Sequence, residues 1–208
     1  MDFYIFIQAR MNSKRLPGKS LIKINNKPVL KHIFDRLRVF GKKKIIILTS
    51  KNKHDDEIEK FCLENDIKIF RGDLKNVYQR YCDALIKYKC SSFVRITGDS
   101  VFVDSKIVKK TINKFKKKNH DIVTNTLYKT FPIGLSVEMI KSNIFLNNKK
   151  NIKKIFHKEH IFSYFYENKL KFKIYNFINN KKYMYSSYAI DNNKDLIRIK
   201  KVLNDKKN

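Results

Sequence analysis

Short apolar runs alternate with amphipathic segments over residues 3–125, and this alternation constrains the fold more than any other feature of the chain. Residues 3–8 and 44–49 form two such runs. The second passes through Ile45-Ile46-Ile47-Leu48 without a polar break, as suits a strand covered on both faces. Between them, Pro28 can open a helix running to about residue 40, with Val29, Ile33, Phe34 and Leu37 on one face. Asp55 and Asp56 open a helix to about residue 65, where acidic residues meet the positive end of the helix dipole. Strands are expected over 67–70 and 92–96. Helices are expected over 76–89 and, capped by Asp104, through 117. Further on, the pattern predicts strands over 122–125, 136–140, 171–175 and 188–190, and helices over 156–166 and 193–203. A brief extended piece is expected over 20–24. Strand–helix alternation of this kind gives an α/β fold with a single mostly parallel, mixed sheet sandwiched by helices. One domain over 1–208 accommodates it, with 125–185 as an insertion suited to an acceptor. In such sheets ligands bind beyond the carboxyl ends of the strands. The basic loop after the first strand and Thr97-Gly98-Asp99 after the fourth should therefore share one rim.

The formal charge of +28 invites a nucleic-acid reading. Lys supplies all but eight of the 47 basic residues, however, and is spread along the chain rather than gathered in one tail or helix face. That distribution fits an enzyme with an anionic substrate, whose capture a positive field speeds. No specific nucleic-acid partner is expected. The longest N-terminal apolar run is far too short to cross a bilayer, so no membrane partner is expected either and the localisation is expected to be cytoplasmic. Cys62, Cys82 and Cys90 show no CxxC spacing and suit reduced, buried thiols.

In so Lys-rich a chain the eight Arg and five Gly residues carry information. Lys cannot supply a planar two-pronged donor, so Arg marks sites where an anion is gripped by a fork. The two rare residues meet in Arg15-Leu16-Pro17-Gly18-Lys19, Arg71-Gly72-Asp73 and Arg95-Ile96-Thr97-Gly98-Asp99, and a further Gly stands in Pro132-Ile133-Gly134.

The stretch Gln8-Ala9-Arg10-Met11 through Leu16-Pro17-Gly18-Lys19 resembles the opening of the acid-sugar cytidylyltransferases, which activate Kdo and sialic acid, and above all their spore-coat polysaccharide branch, the SpsF type. The resemblance continues through Phe70-Arg71-Gly72-Asp73, Asn76-Val77, Arg80-Tyr81 and Arg95-Ile96-Thr97-Gly98-Asp99. It then runs through Pro132-Ile133-Gly134-Leu135-Ser136-Val137-Glu138, Glu159-His160 and Ile190-Asp191 with Asp195. It implies a Rossmann-like GT-A nucleotidyltransferase fold, and Mg²⁺ held by Asp99 with Asp191 as a second carboxylate. The chain departs from the family pattern at Val101, at Ser136 in place of an Asp, and around 186–189.

Making a CMP-sugar from CTP requires neutralising a triphosphate while a sugar hydroxyl attacks the α-phosphorus. Arg10, Arg15 and Lys19 suit that task, and Gly18 lets backbone approach phosphate oxygens. Gln8, Ala9, Arg71, Asn76 and Arg95 are further nucleotide-side candidates. Arg80 fits that role or a place on a helix surface. Asn125, Glu138, Glu159 and His160 are acceptor-side candidates. Asp99 is the expected metal ligand, and Asp191 is either a second one or the cap of the last helix. His157 and His160 lack a third ligand for zinc. The expected reaction consumes CTP and a small sugar acid, with Mg²⁺ as cofactor, gives a CMP-sugar for surface-polysaccharide synthesis and releases pyrophosphate. The oligomeric state stays open, a homodimer included. A GT-A glycosyltransferase using a nucleotide-sugar donor is the alternative, against which Asp99-Ser100-Val101 lacks the second Asp of an Asp-x-Asp motif.

Overall fold

Side chains alternate across a strand, so a continuous apolar run feeds two opposite faces at once. The computed structural model describes residues 2–117, 119–180 and 182–205, and it shows this division clearly. Ile5 and Ile7 of β1 (Phe3–Gln8), Ile45 and Ile47 of β4 (Ile45–Ser50), and Val94 and Ile96 of β6 (Ser92–Thr97) enter one core. Phe6, Ile46, Leu48 and Phe93 enter the other. The first core is closed by α1 (Val29–Leu37), α2 (Asp56–Glu64), α4 (Ser105–Lys117) and α8 (Asn193–Asp205). The second is closed by α3 (Val77–Tyr88), α5 (Ser142–Asn147) and α7 (Ser163–Glu167). It is rich in aromatic rings: Tyr78 stacks on Phe145 at 4.0 Å, and Phe93 meets Phe145 edge-on at 5.1 Å. Full burial of each such side chain is worth about 1.5–3 kcal/mol.

The sheet has seven strands in the order β5-β4-β1-β6-β8-β7-β9, where β5 is Lys68–Gly72, β7 Ile122–Thr124, β8 Glu138–Lys141 and β9 Ile174–Asn176. Only β8 runs antiparallel to its neighbours. The chain builds outward from β1 through β4 to β5, then returns to place β6 on the other side of β1. That reversal is a topological switch point, where a crevice opens beyond the strand ends. Gln8 and Thr97 face each other there in register.

Three local expectations are corrected. Residues 20–24 do not form one extended piece. A small hairpin of β2 (Lys23–Ile24) and β3 (Lys27–Pro28) takes their place, turning through Asn25 and Asn26 at φ 50° and 61°, values that Asn tolerates. The helix expected over 156–166 is broken into α6 (Ile155–Glu159) and α7, because His160 leaves the helical region at ψ 79°. Ile161 and Phe162, just beyond the break, are both buried. Residues 188–190 form no strand; the adjoining Ser187 makes a single bridge to Ile133. The short α5 went unforeseen.

All three cysteines are free and buried, and burial pushes the Cys62 and Cys82 thiols up to about 12. No helix among the described residues is long and apolar enough to cross a membrane.

Candidate active site

Beyond β1 the Ala9 N–H still bonds the Leu48 carbonyl at 3.0 Å, and then the chain leaves the sheet. Its loop closes on itself: the Met11 carbonyl accepts N–H groups from Ser13 at 2.9 Å and Gly18 at 2.8 Å. Gly18 takes the left-handed φ of +70° that this closure demands, and Leu16 is buried beneath. Lys19 thereby returns toward the strand ends.

The Thr97-Gly98-Asp99 turn packs directly on β1. Gly98 donates its N–H to the Gln8 carbonyl at 2.8 Å. A Cβ there would lie 2.8 Å from that oxygen and 2.9 Å from the Ala9 Cβ. Gly98→Ala should therefore cost about 1–3 kcal/mol through overpacking and lower Tm by several degrees, a shift that thermal denaturation can measure. A change of less than a degree would contradict this close approach.

A segment from the far end of the chain completes the rim. Gly134, at φ +90°, lets the 132–135 loop lie against Tyr188 and Ala189, where a Cβ would approach backbone atoms to 2.6 Å. The Ile190 N–H then bonds the Asp99 carbonyl at 3.2 Å. The cap of α8 is Asn192, whose Oδ1 accepts the Asp195 N–H at 3.0 Å, while Asp195 accepts the N–H groups of Asp191 and Asn192 in return. The Asp191 carboxylate is thus not the cap and faces the cavity.

There the loop and the rim meet. Lys19 Nζ lies 2.9 Å from Asp99 Oδ2, 3.0 Å from Asp191 Oδ1 and 2.9 Å from the Ile190 carbonyl, so all three of its donors are used. Arg15 reaches the same Asp191 oxygen at 3.1 Å from a largely exposed position. The cavity above these groups has a volume of about 740 Å³. Gln8, Ala9, Arg10, Arg15, Lys19, Arg95, Asp99, Glu138, Glu159, His160 and Asp191 all line it, although they span most of the chain.

At its other end Glu138, on β8 and buried, pairs with Arg95, whose Nε also donates to Gln8 Oε1 at 3.2 Å. Burial opposes the Arg95 charge, but the Glu138 carboxylate outweighs it and raises the guanidinium pKa. The Tyr166 hydroxyl donates to Glu138 Oε1 at 2.8 Å. Burial, and then the Glu138 carboxylate, raise its pKa well above the usual phenol value, so it is a neutral donor. Arg10 crosses the cavity to Glu159 on α6 at 3.0 Å. His160 is exposed at the edge.

Three expected site residues lie elsewhere. Arg71 braces the connection between β4 and α2, donating to the carbonyls of Ser50 and Asn52 and pairing with Asp56 and Glu59. Asn76 caps α3 by accepting the Gln79 N–H at 3.0 Å. Asn125 is buried, bonding the Leu135 carbonyl and the Val137 N–H. Gly18 shapes the loop from outside the cavity lining.

The converse also occurs. Arg80 is buried in the cavity wall, its Nε on the Asp73 carbonyl at 2.9 Å. A Cβ on Gly72 would lie 2.6 Å from the Arg80 Cγ, so that Gly serves Arg80 packing. Thr126, Phe156, Phe162 and Tyr166 line the cavity too, with no signal in their local sequence. Among the described residues no group of three or more His, Cys, Asp or Glu is gathered to hold a metal unaided.

Comparison with known proteins bears on what this rim serves. The chain matches the family described as cytidylyltransferase over residues 4–207. It is 30% identical over 151 residues to the spore coat polysaccharide biosynthesis protein SpsF of Bacillus subtilis, and 30% identical over 149 residues to the 3-deoxy-manno-octulosonate cytidylyltransferase of Wigglesworthia glossinidia brevipalpis. These matches take in 70% and 69% of this chain, but only 62% and 58% of the lengths of those proteins. A solved cytidylyltransferase from Leptospira borgpetersenii serovar Hardjo-bovis superposes with a TM-score of 0.92 at 29% identity, over 98% of this chain and 87% of that one. With a rim of paired carboxylates and basic groups at the switch point of its sheet, the chain belongs to the cytidylyltransferase family of CTP-dependent nucleotidyltransferases.

Proposed function

We propose that the cavity binds CTP along Arg10, Arg15 and Lys19 and joins its CMP unit to a sugar acid. In this reaction a sugar hydroxyl oxygen forms a new bond to the α-phosphorus. The bond from that phosphorus to the bridging oxygen breaks, pyrophosphate leaves with the electron pair, and the hydroxyl proton passes to solvent. The observation that carries the proposal is the single Lys19 ammonium within 3.0 Å of both Asp99 and Asp191. A loop cation and two rim carboxylates drawn from three distant segments suit a polyanion that arrives with a cation of its own. Asp99 and Asp191 would hold Mg²⁺, which prefers oxygen ligands and commonly takes one or two carboxylates with phosphate and water. When bound, the ion supplies charge neutralisation on the phosphates.

Arg10 and Arg15 offer forked donors to non-bridging oxygens, and Lys19 offers a point charge. Glu138, held by Arg95 and Tyr166, and Glu159 with His160 face the acceptor end, so the proposed acceptor segment remains 125–185. Asn125 is committed to backbone and takes no part. The name of the Bacillus subtilis relative supports a place in surface-polysaccharide synthesis, and the proposed setting is the cytoplasm.

The test is to incubate the purified protein with Mg²⁺, each nucleoside triphosphate in turn and a panel of sugar acids, and to assay pyrophosphate. Release should require CTP and one of the acids. Equal release from all four triphosphates would contradict the proposal. A narrower prediction concerns Arg15. Arg15→Lys keeps the charge and loses the fork, so kcat/KM for CTP should fall about tenfold, in line with the loss of one charge-assisted hydrogen bond. Unchanged kinetics would remove Arg15 from the phosphate grip.

A further inference from the structure

Asp55 immediately precedes α2, where an Asp side chain ordinarily accepts N–H groups of its own helix. Here it makes no such bond. The carboxylate turns the other way and is buried, with 1% of its surface exposed. Its Oδ1 accepts the Met11 N–H at 2.7 Å, across 44 positions of sequence. Its Oδ2 accepts both the N–H of Ser50, at 3.0 Å, and the Ser50 hydroxyl. It therefore ties the end of β4 to the middle of the basic loop.

The peptide it grips is a sensitive one. The N–H of Met11 and the carbonyl of Arg10 belong to one planar unit. That carbonyl accepts the Ser20 hydroxyl at 3.2 Å, and Ser20 is itself buried. The unit is thus held at both ends, which fixes the direction in which the Arg10 side chain leaves the backbone. The next carbonyl, that of Met11, receives the Gly18 N–H at 2.8 Å, so the same anchor sets where the loop closes ahead of Lys19. The loop also concentrates positive charge, with Arg10, Lys14, Arg15 and Lys19 lining the cavity beside the buried Arg80. A buried anion at the base of the loop offsets part of their mutual repulsion, and Asp55 acts electrostatically on Arg80.

We propose that Asp55 is a positioning residue for the nucleotide. By clamping the Met11 N–H it presets Arg10 and Lys19 to receive a triphosphate. This rests on the CTP reading of the loop but assigns a residue outside the cavity lining. Both carboxylate oxygens face backbone N–H donors, and a carboxylate is the one side chain of this size that accepts on both sides. An amide would put a donor against a donor whichever way it turned. Asp55→Asn should therefore behave nearly as badly as Asp55→Ala, although it changes one atom. Ser50→Ala removes the hydroxyl's bond to Asp55 and the one it accepts from the Asn52 N–H, and leaves the Met11 clamp intact.

The experiment measures CTP affinity by calorimetry and KM for CTP and for the acceptor separately, in wild type, Asp55→Asn and Ser50→Ala, with thermal denaturation alongside. NMR hydrogen exchange at the Met11 amide is recorded in the wild-type protein. For Asp55→Asn the expected result is a rise of about tenfold in both Kd and KM for CTP, with KM for the acceptor within about twofold. Ser50→Ala should lower Tm without moving KM for CTP. The wild-type Met11 amide should exchange slowly, as a buried bonded group does. Wild-type CTP affinity in Asp55→Asn, or equal shifts in both KM values, would overturn the proposal by leaving Asp55 a structural role alone. If Asp55→Asn does not fold, Met11 exchange in the wild type decides, and rapid exchange there overturns the clamp. Failure of the wild-type protein to bind CTP at all would sink the functional reading instead, with the clamp still judged by the Met11 amide.

Discussion

Asp99→Asn is expected to lower turnover by about 10²–10³-fold, the cost of removing one group that stabilises charge in the transition state, while the protein stays folded. The substitution keeps the size of the side chain and removes its charge. Asp99 is placed by Gly98 on the Gln8 carbonyl and by the Ile190 N–H on its own carbonyl. Neither bond involves the carboxylate, so the backbone should hold its course. Lys19 retains Asp191 and the Ile190 carbonyl as acceptors. The stability lost with the partly exposed Lys19–Asp99 pair should be about 1 kcal/mol. Steady-state kinetics at saturating Mg²⁺, with circular dichroism as the fold check, measures both quantities. Turnover within tenfold of wild type would remove Asp99 from the chemistry.

Lys19→Met is expected to be comparably damaging, for a different reason. Methionine nearly matches the length of the lysine stem but carries no charge, and among the described residues Lys19 is the one basic group touching both rim carboxylates. Without it Asp99 and Asp191 lose the cation they share, the exposed Arg15 still reaches Asp191, and the triphosphate loses a point charge at closest approach. A loss of roughly 10²-fold in kcat/KM for CTP is expected. The like-charged carboxylates should also make the variant more dependent on divalent cation than wild type. A Mg²⁺ titration of activity separates the two effects. If added Mg²⁺ fully restores wild-type kcat/KM, Lys19 serves only to offset the charge of the two carboxylates, and its place on the phosphates must be given up.

Sequence pattern conveyed the centre of the fold and less of its periphery. The runs through β1, β4 and β6 are short and mainly apolar on both faces, as suits strands covered on both sides, and their bounds fell within a residue or two. The gathering of Arg10, Arg15, Lys19 and Asp99 at the ends of β1 and β6 followed from the same topology. Arg71 illustrates the limit. A rare Arg beside a Gly marks a fork-shaped contact, but not whether the partner is a phosphate or the chain itself. Here two carbonyls and two carboxylates of the neighbouring connection take it up. Asp55 was hidden for the opposite reason. Its position before a helix explains an Asp locally, and only the folded loop shows the carboxylate turned toward Met11. Tyr166 and Glu138 meet across 28 positions and a helix break at His160, which a helical periodicity spanning 156–166 conceals. Asp191 could be read as a cap until Asn192 and Asp195 were seen to cap the helix between them.

The most direct test of the central claim is ³¹P NMR of the complete reaction: protein, Mg²⁺, CTP and the active sugar acid. Attack at the α-phosphorus predicts that the CTP signals are replaced by one phosphodiester resonance and by pyrophosphate, with one pyrophosphate formed for each diester. CTP left unconsumed in that mixture, with a nucleoside diphosphate released when a nucleotide-sugar donor is supplied in its place, would contradict it and make the cavity that of a glycosyltransferase.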